Sequence, residues 1–246
     1  MDPQAILRHL ERDIAIRCFD TLDSTNQYAK QWARQRAPFG AAVLAEQQTA
    51  GRGRRGRSFY SPQGGLYLSL ILPPQAQPGR LTTLAAVAVR RAVQEVAGLS
   101  LEIKWVNDLL LDGRKVCGIL VEGIAGEKGL THAVLGIGVN TADTAFPPEL
   151  ADTAAALPPL DRDRLAAAVI CAVLDGLPRI PGHMAEYRAH CLTLGQVVRF
   201  EWEGQQREGT ARAVEDDGAL RIGTADGEVL LLAGEASIRL QDGRYA

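Results

Sequence analysis

The apolar pattern of this 246-residue chain changes once, near Cys191, and that change limits the folds open to it. Ahead of Cys191, short strand-like runs are interleaved with segments of helical length. Behind it come five brief strand-like runs, at 197–202, 207–214, 219–222, 229–232 and 236–240. Turn dipeptides Glu203-Gly204, Asp217-Gly218 and Asp226-Gly227 separate most of them. This spacing predicts a small all-β barrel. No long linker precedes it, so it should pack on the domain ahead. The expected division is residues 1–191 and residues 192–246, an α+β domain followed by the barrel.

Within the first domain, residues 4–12 read as a short helix and 14–19 as a strand. Ser24, with Gln27 three residues on, forms a capping-box pattern. It predicts a helix to residue 35, ended by Pro38-Phe39-Gly40. Residues 41–46 read as a buried strand. Residues 66–72 read as a strand with Tyr67, Ser69 and Ile71 on one face. An alanine-rich helix is expected over 81–96, closed by Gly98. Strands follow at 101–105, 109–111 and 115–122, with Asp112-Gly113 as a hairpin turn. A strand at 131–139 carries Gly136 and Gly138. Glycine weakens a strand unless something must approach closely, which hints at a ligand resting on the sheet. Residues 141–160 read as loop, Asp161 caps a helix to 176, and 181–190 make a last short helix.

Composition narrows the classes. Apolar residues make up 46% of the chain, but no run approaches the ~20 needed to span a bilayer. Asp2, Arg8, Glu11, Arg12 and Asp13 leave no visible signal peptide. The four cysteines, Cys18, Cys117, Cys171 and Cys191, form no C-x-x-C pair. They predict thiols in a reducing cytoplasm rather than a zinc site or a disulfide scaffold. His9, His132, His183 and His190 also lack metal-ligand spacing.

One stretch concentrates chemistry: Gly51-Arg52-Gly53-Arg54-Arg55-Gly56-Arg57. Its glycines let backbone come close to a ligand, and each guanidinium can clamp a carboxylate or phosphate. The spacing is not that of the ordinary phosphate loop. A solvated loop, a nucleic-acid patch and an anionic-ligand clamp all remain open on the loop alone. The formal net charge is −2, and the four arginines carry +4, so the rest of the chain sums to −6. Nucleic-acid affinity draws on many phosphate contacts over a surface. A single basic loop on an acidic protein fits a local clamp better.

Further motifs follow the same order: Ser24-Thr25-Asn26, then Gln48 ahead of the Gly/Arg loop, then Lys104-Trp105-Val106-Asn107-Asp108. After them come Lys115, Gly118-Ile119-Leu120-Val121-Glu122 and Gly136-Ile137-Gly138-Val139-Asn140. In order and spacing these resemble the biotin–protein ligases, also called biotin–[acetyl-CoA-carboxylase] ligases, over nearly the whole chain. The resemblance implies a mixed β-sheet flanked by helices, followed by an SH3-like β-barrel. It implies that biotin is activated with ATP and Mg²⁺ to biotinyl-5′-adenylate. Biotin then passes to one lysine of a biotin carboxyl carrier protein or domain. The implied catalytic residues are Lys104 and Arg54, which would stabilise charge where anions are forced together. The implied biotin contacts are Ser24, Thr25, Asn26, Gln48, Gly51, Arg52, Gly53, Arg54, Lys104, Gly118, Gly136 and Gly138. Arg54, Arg57, Phe59, Asn107, Lys115, Asn140 and Arg239 fall to the adenylate. Asp108 either holds Mg²⁺ or caps a turn.

Two departures are visible. Val106 stands where many relatives have Pro, and Phe59 where some have Trp; altered rigidity or affinity is expected. Only 22 residues precede Asp23, too few for a DNA-binding winged helix. The resemblance is therefore to the monofunctional class, with no operator binding, no membrane partner, and homodimerisation left open. The Gly/Arg loop is expected to order over the adenylate and exclude water. A lipoate–protein ligase, or a nucleic-acid-binding protein using the Arg loop, are the alternative readings.

Overall fold

A computed structural model describes residues 1–246 except 11, 76, 143–145, 233–237 and 241–246, with residues 238–240 described as backbone alone. Seven strands make one mixed sheet: β1 (Ile16–Leu22), β2 (Ala42–Gln48), β3 (Leu66–Leu72), β4 (Glu102–Lys104), β5 (Asp108–Leu111), β6 (Arg114–Gly126) and β7 (Gly129–Val139). Their order across the sheet is β1-β2-β3-β7-β6-β5-β4. β1 and β2 are parallel, and the other neighbours are antiparallel.

β3 explains why the sheet is covered on both faces. All seven of its residues are buried. Leu66, Leu68, Leu70 and Leu72 point into the thicker core. There they meet α1 (Pro3–His9), α3 (Pro78–Ala97) and α4 (Arg162–Gly176), with α5 (Met184–Ala189) beside α3. Ile71 points the other way, to a thinner core made with Val43, Val134 and Ala29 and Ala33 of α2 (Thr25–Arg34). The period of two in a strand sends Tyr67 and Ser69 to that same thinner side. α2 covers part of this face, and the rest is where the Gly/Arg loop lies.

Local signals set several boundaries. The Asp161 side chain accepts from Arg164 N at 3.0 Å and starts α4, as an N-cap does. Gly98 takes φ 68° behind α3. Asp112 and Gly113 both have positive φ, 49° and 76°, the geometry a two-residue hairpin turn requires. The capping box is a correction. Ser24 is the N-cap of α2 but its side chain makes no capping bond. Gln27 is drawn instead to Arg52: with its carboxamide oxygen turned outward it accepts from both terminal guanidinium nitrogens, at 3.1 and 3.0 Å. β6 and β7 also run past the predicted 115–122 and 131–139 to form a long hairpin.

The C-terminal unit is a five-stranded antiparallel sheet of β8 (Val197–Trp202), β9 (Gln205–Val214), β10 (Leu220–Thr224), β11 (Gly227–Leu231) and β12 (Ile238–Leu240). The order is β11-β10-β9-β8-β12. Val198, Phe200, Ala211, Val214, Leu220, Ile222 and Leu231 fill its inner side.

This unit is fastened to the large sheet beside Lys104. Ile103 N donates to His190 O at 2.9 Å, and Leu192 N donates to Ile103 O at 3.0 Å. The connecting segment thus lies along the edge of β4. Trp105 Nε1 donates to Gly218 O at 2.9 Å, and Trp105 N donates to Thr193 Oγ1 at 3.0 Å. The Trp105–Val106 peptide is cis. Arg188 Nε adds a bond of 2.6 Å to Val214 O.

Candidate active site

Strand register alone carries one row of residues across the α2 face of the sheet. Tyr67 pairs with Gly138, Gly138 with Gly118, Gly118 with Asp108, and Asp108 with Lys104. Directly paired residues share a face. Residues spread from 67 to 138 therefore lie side by side. A second row, Ser69–Gly136–Leu120, runs next to it.

The glycines of these rows are required by side chains of the protein itself. A Cβ on Gly136 would stand 2.3 Å from Asn26 Oδ1. One on Gly138 would stand 2.4 Å from the Phe59 ring, and one on Gly118 2.8 Å from it. The expected close approach is real, but here Asn26 and Phe59 make it. The Phe59 ring meets Tyr67 edge-on at 6.5 Å, and Lys115 Nζ lies 5.6 Å from its centroid.

Phe59 is delivered by the Gly/Arg loop, which folds as a miniature hairpin. Arg52 bridges Ser58, Gly53 N donates to Arg57 O at 2.7 Å, and Phe59 N donates to Gly51 O at 2.9 Å. Gly51 tolerates no side chain, since a Cβ would lie 2.4 Å from Phe59 O. Arg55 (φ 56°) and Gly56 (φ 74°) turn the tip. Arg52, Arg55 and Arg57 are exposed. Arg54 turns inward and donates to Asn107 Oδ1 at 2.9 Å. Burial pushes its guanidinium below the usual value, while Asp108 pulls the other way. Asn107 is fixed in turn: Nδ2 donates to Ile119 O at 3.0 Å.

Lys104 is buried at the end of the row. Asp108 carries an ion pair with Lys115 Nζ at 2.6 Å. Among the described residues no three His, Cys, Asp or Glu side chains gather as a metal site. The residues present fit Mg²⁺ only in the mode where the cation is held mostly by substrate phosphates with a carboxylate such as Asp108 beside it. Asn140 is buried, with Nδ2 donating to Ala155 O at 3.1 Å. Its Oδ1 is buried without a partner among the described residues. Arg239 lies on β12, paired with Arg199; its side chain is outside the described residues.

Ser24, Thr25, Asn26 and Gln48 form the other end of the site. Thr25 N donates to Gln48 Oε1 at 2.9 Å, and Gln48 Nε2 donates to Ser61 Oγ at 3.0 Å. Three participants were missed from sequence. Ser69 on β3 contacts both Thr25 and Asn26, Glu122 accepts from Asn26 at 2.8 Å, and Lys30 pairs with Glu122. The legible signals were a hydroxyl, Ser69, inside an otherwise apolar strand, and Glu122 at the end of the Gly118–Glu122 motif, which had no assigned role. The structure brings together Lys104, Asp108, Asn107, Arg54, Lys115, Phe59, Gly118 and Gly138. Ser69 contacts Thr25 and Asn26 and pairs with Gly136, Gln48 joins them through Thr25, and Arg52 is linked to α2 by way of Gln27.

No helix among the described residues is long and apolar enough to cross a membrane. Comparison with known proteins fits the geometry. The chain is 35% identical over 225 residues to the bifunctional ligase/repressor BirA of Bacillus subtilis, covering 85% of this chain and 69% of that one. It is 32% identical over 215 residues to the biotin–[acetyl-CoA-carboxylase] ligase of Mycobacterium tuberculosis, covering 80% of this chain and 78% of that one. The fold superposes on the biotin protein ligase from Aquifex aeolicus in complex with biotin and ATP, with a TM-score of 0.82 and 27% identity, over 92% of this chain and 99% of that one. Residues 193–239 match the biotin protein ligase C-terminal domain, and residues 18–140 match the biotin/lipoate A/B protein ligase family. The chain belongs to the biotin/lipoate A/B protein ligase family.

Proposed function

We propose that the chain is an ATP-dependent biotin–protein ligase. It joins the biotin carboxylate to the α-phosphate of ATP, releasing pyrophosphate. It then passes biotin from AMP to a lysine amine of a carrier protein, forming a C–N bond. The observation that carries this reading is the row Tyr67–Gly138–Gly118–Asp108–Lys104 beneath a loop whose Arg54 is bonded to Asn107.

The chemistry asks for positive charge at one point. A carboxylate attacking a phosphate brings two anions together, so fixed cations at the developing charge lower the barrier. Lys104 approaches that point from the sheet and Arg54 from the loop. Lys104 is buried and Arg54 partly so, which strengthens their interaction with an anion. Arg57 remains exposed for the nucleotide phosphates, while Arg52, bonded to Gln27 of α2, stays with the biotin end. Phe59 offers an aromatic face to the base, and the orphaned Asn140 Oδ1 offers an acceptor to an amine donor. Biotin's head falls to the end built from Ser24, Thr25, Asn26 and Gln48, and Asp108 would stand beside a Mg²⁺ carried by the nucleotide phosphates, which would screen their charge. No protein nucleophile is needed, because the adenylate is itself the acyl donor. The division at residues 191 and 192 and a cytoplasmic setting belong to the same reading.

Biotin-dependent ATP–pyrophosphate exchange tests it, with lipoate as the comparison acid and mass spectrometry of a carrier domain for the transfer step. Exchange with biotin and a gain of one biotin on the carrier are expected. Arg54→Gly should lose adenylate retention and acid-dependent ATP turnover. Absence of biotin-dependent exchange, or exchange with lipoate instead, would overturn it.

A further inference from the structure

The hydrogen bonds beneath α2 form a chain that ends in an ion pair. Asn26 and Lys30 lie four residues apart on α2, so they share a face. Both reach Glu122 on β6. Lys30 Nζ pairs with Glu122 Oε1, and Asn26 Nδ2 donates to Oε2 at 2.8 Å. The Lys30 and Glu122 side chains are 15% and 23% exposed, so water competes little for the pair. Asn26 Oδ1 then faces Ser69 Oγ at 2.6 Å, and Ser69 Oγ lies 2.8 Å from Thr25 Oγ1.

Counting protons orients every link. A carboxylate can only accept, so Asn26 must turn its amide nitrogen to Glu122. A carboxamide oxygen can only accept, so Ser69 commits its single proton to Asn26. Thr25 has one proton and two inward acceptors, Ser69 Oγ at 2.8 Å and Gln48 Oε1 at 3.1 Å. Whichever it takes, Thr25 Oγ1 has only lone pairs left for a ligand. Rotating the Asn26 amide by half a turn would put Nδ2 against Ser69 and reverse the sequence. Glu122 decides between the two.

We propose that Glu122, held by Lys30, is a positioning residue that fixes this polarity. Through it the Thr25 hydroxyl meets the acid substrate only as an acceptor. The site then selects a ring bearing N–H groups, as in the cyclic urea of biotin, over a ring without them. The inference deepens the ligase reading above and rests on it.

The test is pyrophosphate exchange by the full chain with biotin and with biotin methylated on its ring nitrogens. Wild type, Glu122→Leu, Glu122→Ala and Glu122→Gln are compared, with Tm measured for each. Glu122→Leu frees the Asn26 amide. Its KM for biotin should rise about 10- to 100-fold, the worth of a charge-assisted hydrogen bond. KM for ATP should change less than about twofold, and the preference for biotin over the methylated compound should shrink by the same factor as the biotin KM rises. Glu122→Gln keeps an acceptor and should stay within about threefold of wild type. A merely structural role would lower Tm and weaken both substrates alike. Should Glu122→Leu fail to fold, Glu122→Ala, which also removes the acceptor, decides by the same preference ratio. An unchanged ratio in folded Glu122→Leu or Glu122→Ala overturns the inference. Wild type that performs no exchange with biotin overturns the ligase reading instead.

Discussion

A methyl group is enough to test the floor of the site. Gly138 has no room for one, since its Cβ would meet the Phe59 ring at 2.4 Å. Gly138→Ala should therefore lift Phe59 and the hairpin that carries it. Forcing atoms into a filled space costs about 1–3 kcal/mol. Tm should fall, and trypsin should cut at Arg54, Arg55 and Arg57 faster than in wild type. Unchanged Tm and cutting would show that the ring does not rest on the glycine pair. Gly56 offers the contrast, because nothing stands near its Cβ position. Its positive φ of 74° is its sole constraint, so Gly56→Asn should be tolerated where Gly138→Ala is not.

At the scale of elements, α3 and α5 are joined by a polar strut. Thr83 Oγ1 lies 2.8 Å from His183 Nε2, and both residues are buried. Burial pushes the His183 imidazole down from 6.5 to about 4; nearby Arg91 adds to this and Asp216 opposes it. A depressed pKa means the folded state prefers the neutral ring. Above pH 6.5 both states are neutral there and the stabilisation is complete. Between 6.5 and 4 the unfolded chain takes up a proton that the native state refuses, so stability falls. The urea midpoint of wild type should drop between pH 7 and 4.5, and that of His183→Gln should drop less. Equal drops would remove His183 from the account.

What sequence could reveal was local. The Asp161 cap, the left-handed Gly98 and the Asp112-Gly113 turn each act within a few residues, and all three stand as expected. The glycines in β7 signalled a close approach, yet not what approaches. Asn26 and Phe59 come from 110 and 79 residues away, and only the packing of α2 and of the Gly/Arg hairpin on the sheet brings them there. The same distance hid Ser69, Lys30 and Glu122. The capping box failed for a related reason: Gln27 has the local option of turning back, but Arg52 offers a charged donor pair. Tertiary contacts outrank a local preference when the partner is ionised.

Across the whole molecule, Trp105 couples the two sheets. It sits one residue from Lys104 and donates to Gly218 in the C-terminal unit at 2.9 Å. Gly218 (φ 88°) is close against α3, where a Cβ would stand 3.0 Å from Gly79 O. Wild type should unfold in one calorimetric transition. Trp105→Phe leaves Gly218 O unpaired, at about 1–3 kcal/mol. Combined with Arg188→Ala, which also frees Val214 O, it should split the transition into two. A single transition in the double variant would mean that the units are coupled elsewhere.

The segment crossing from one unit to the other has one more effect. By lying along β4 it occupies the amide groups of Ile103 that would otherwise face outward. The large sheet therefore has two unlike margins. One is sealed by the protein's own chain; the other, β1, is an edge strand whose Arg17, Asp20 and Thr21 are exposed. Unwanted strand-to-strand stacking in concentrated samples should begin at β1. A proline placed there at an outward-facing amide should improve solubility without disturbing catalysis.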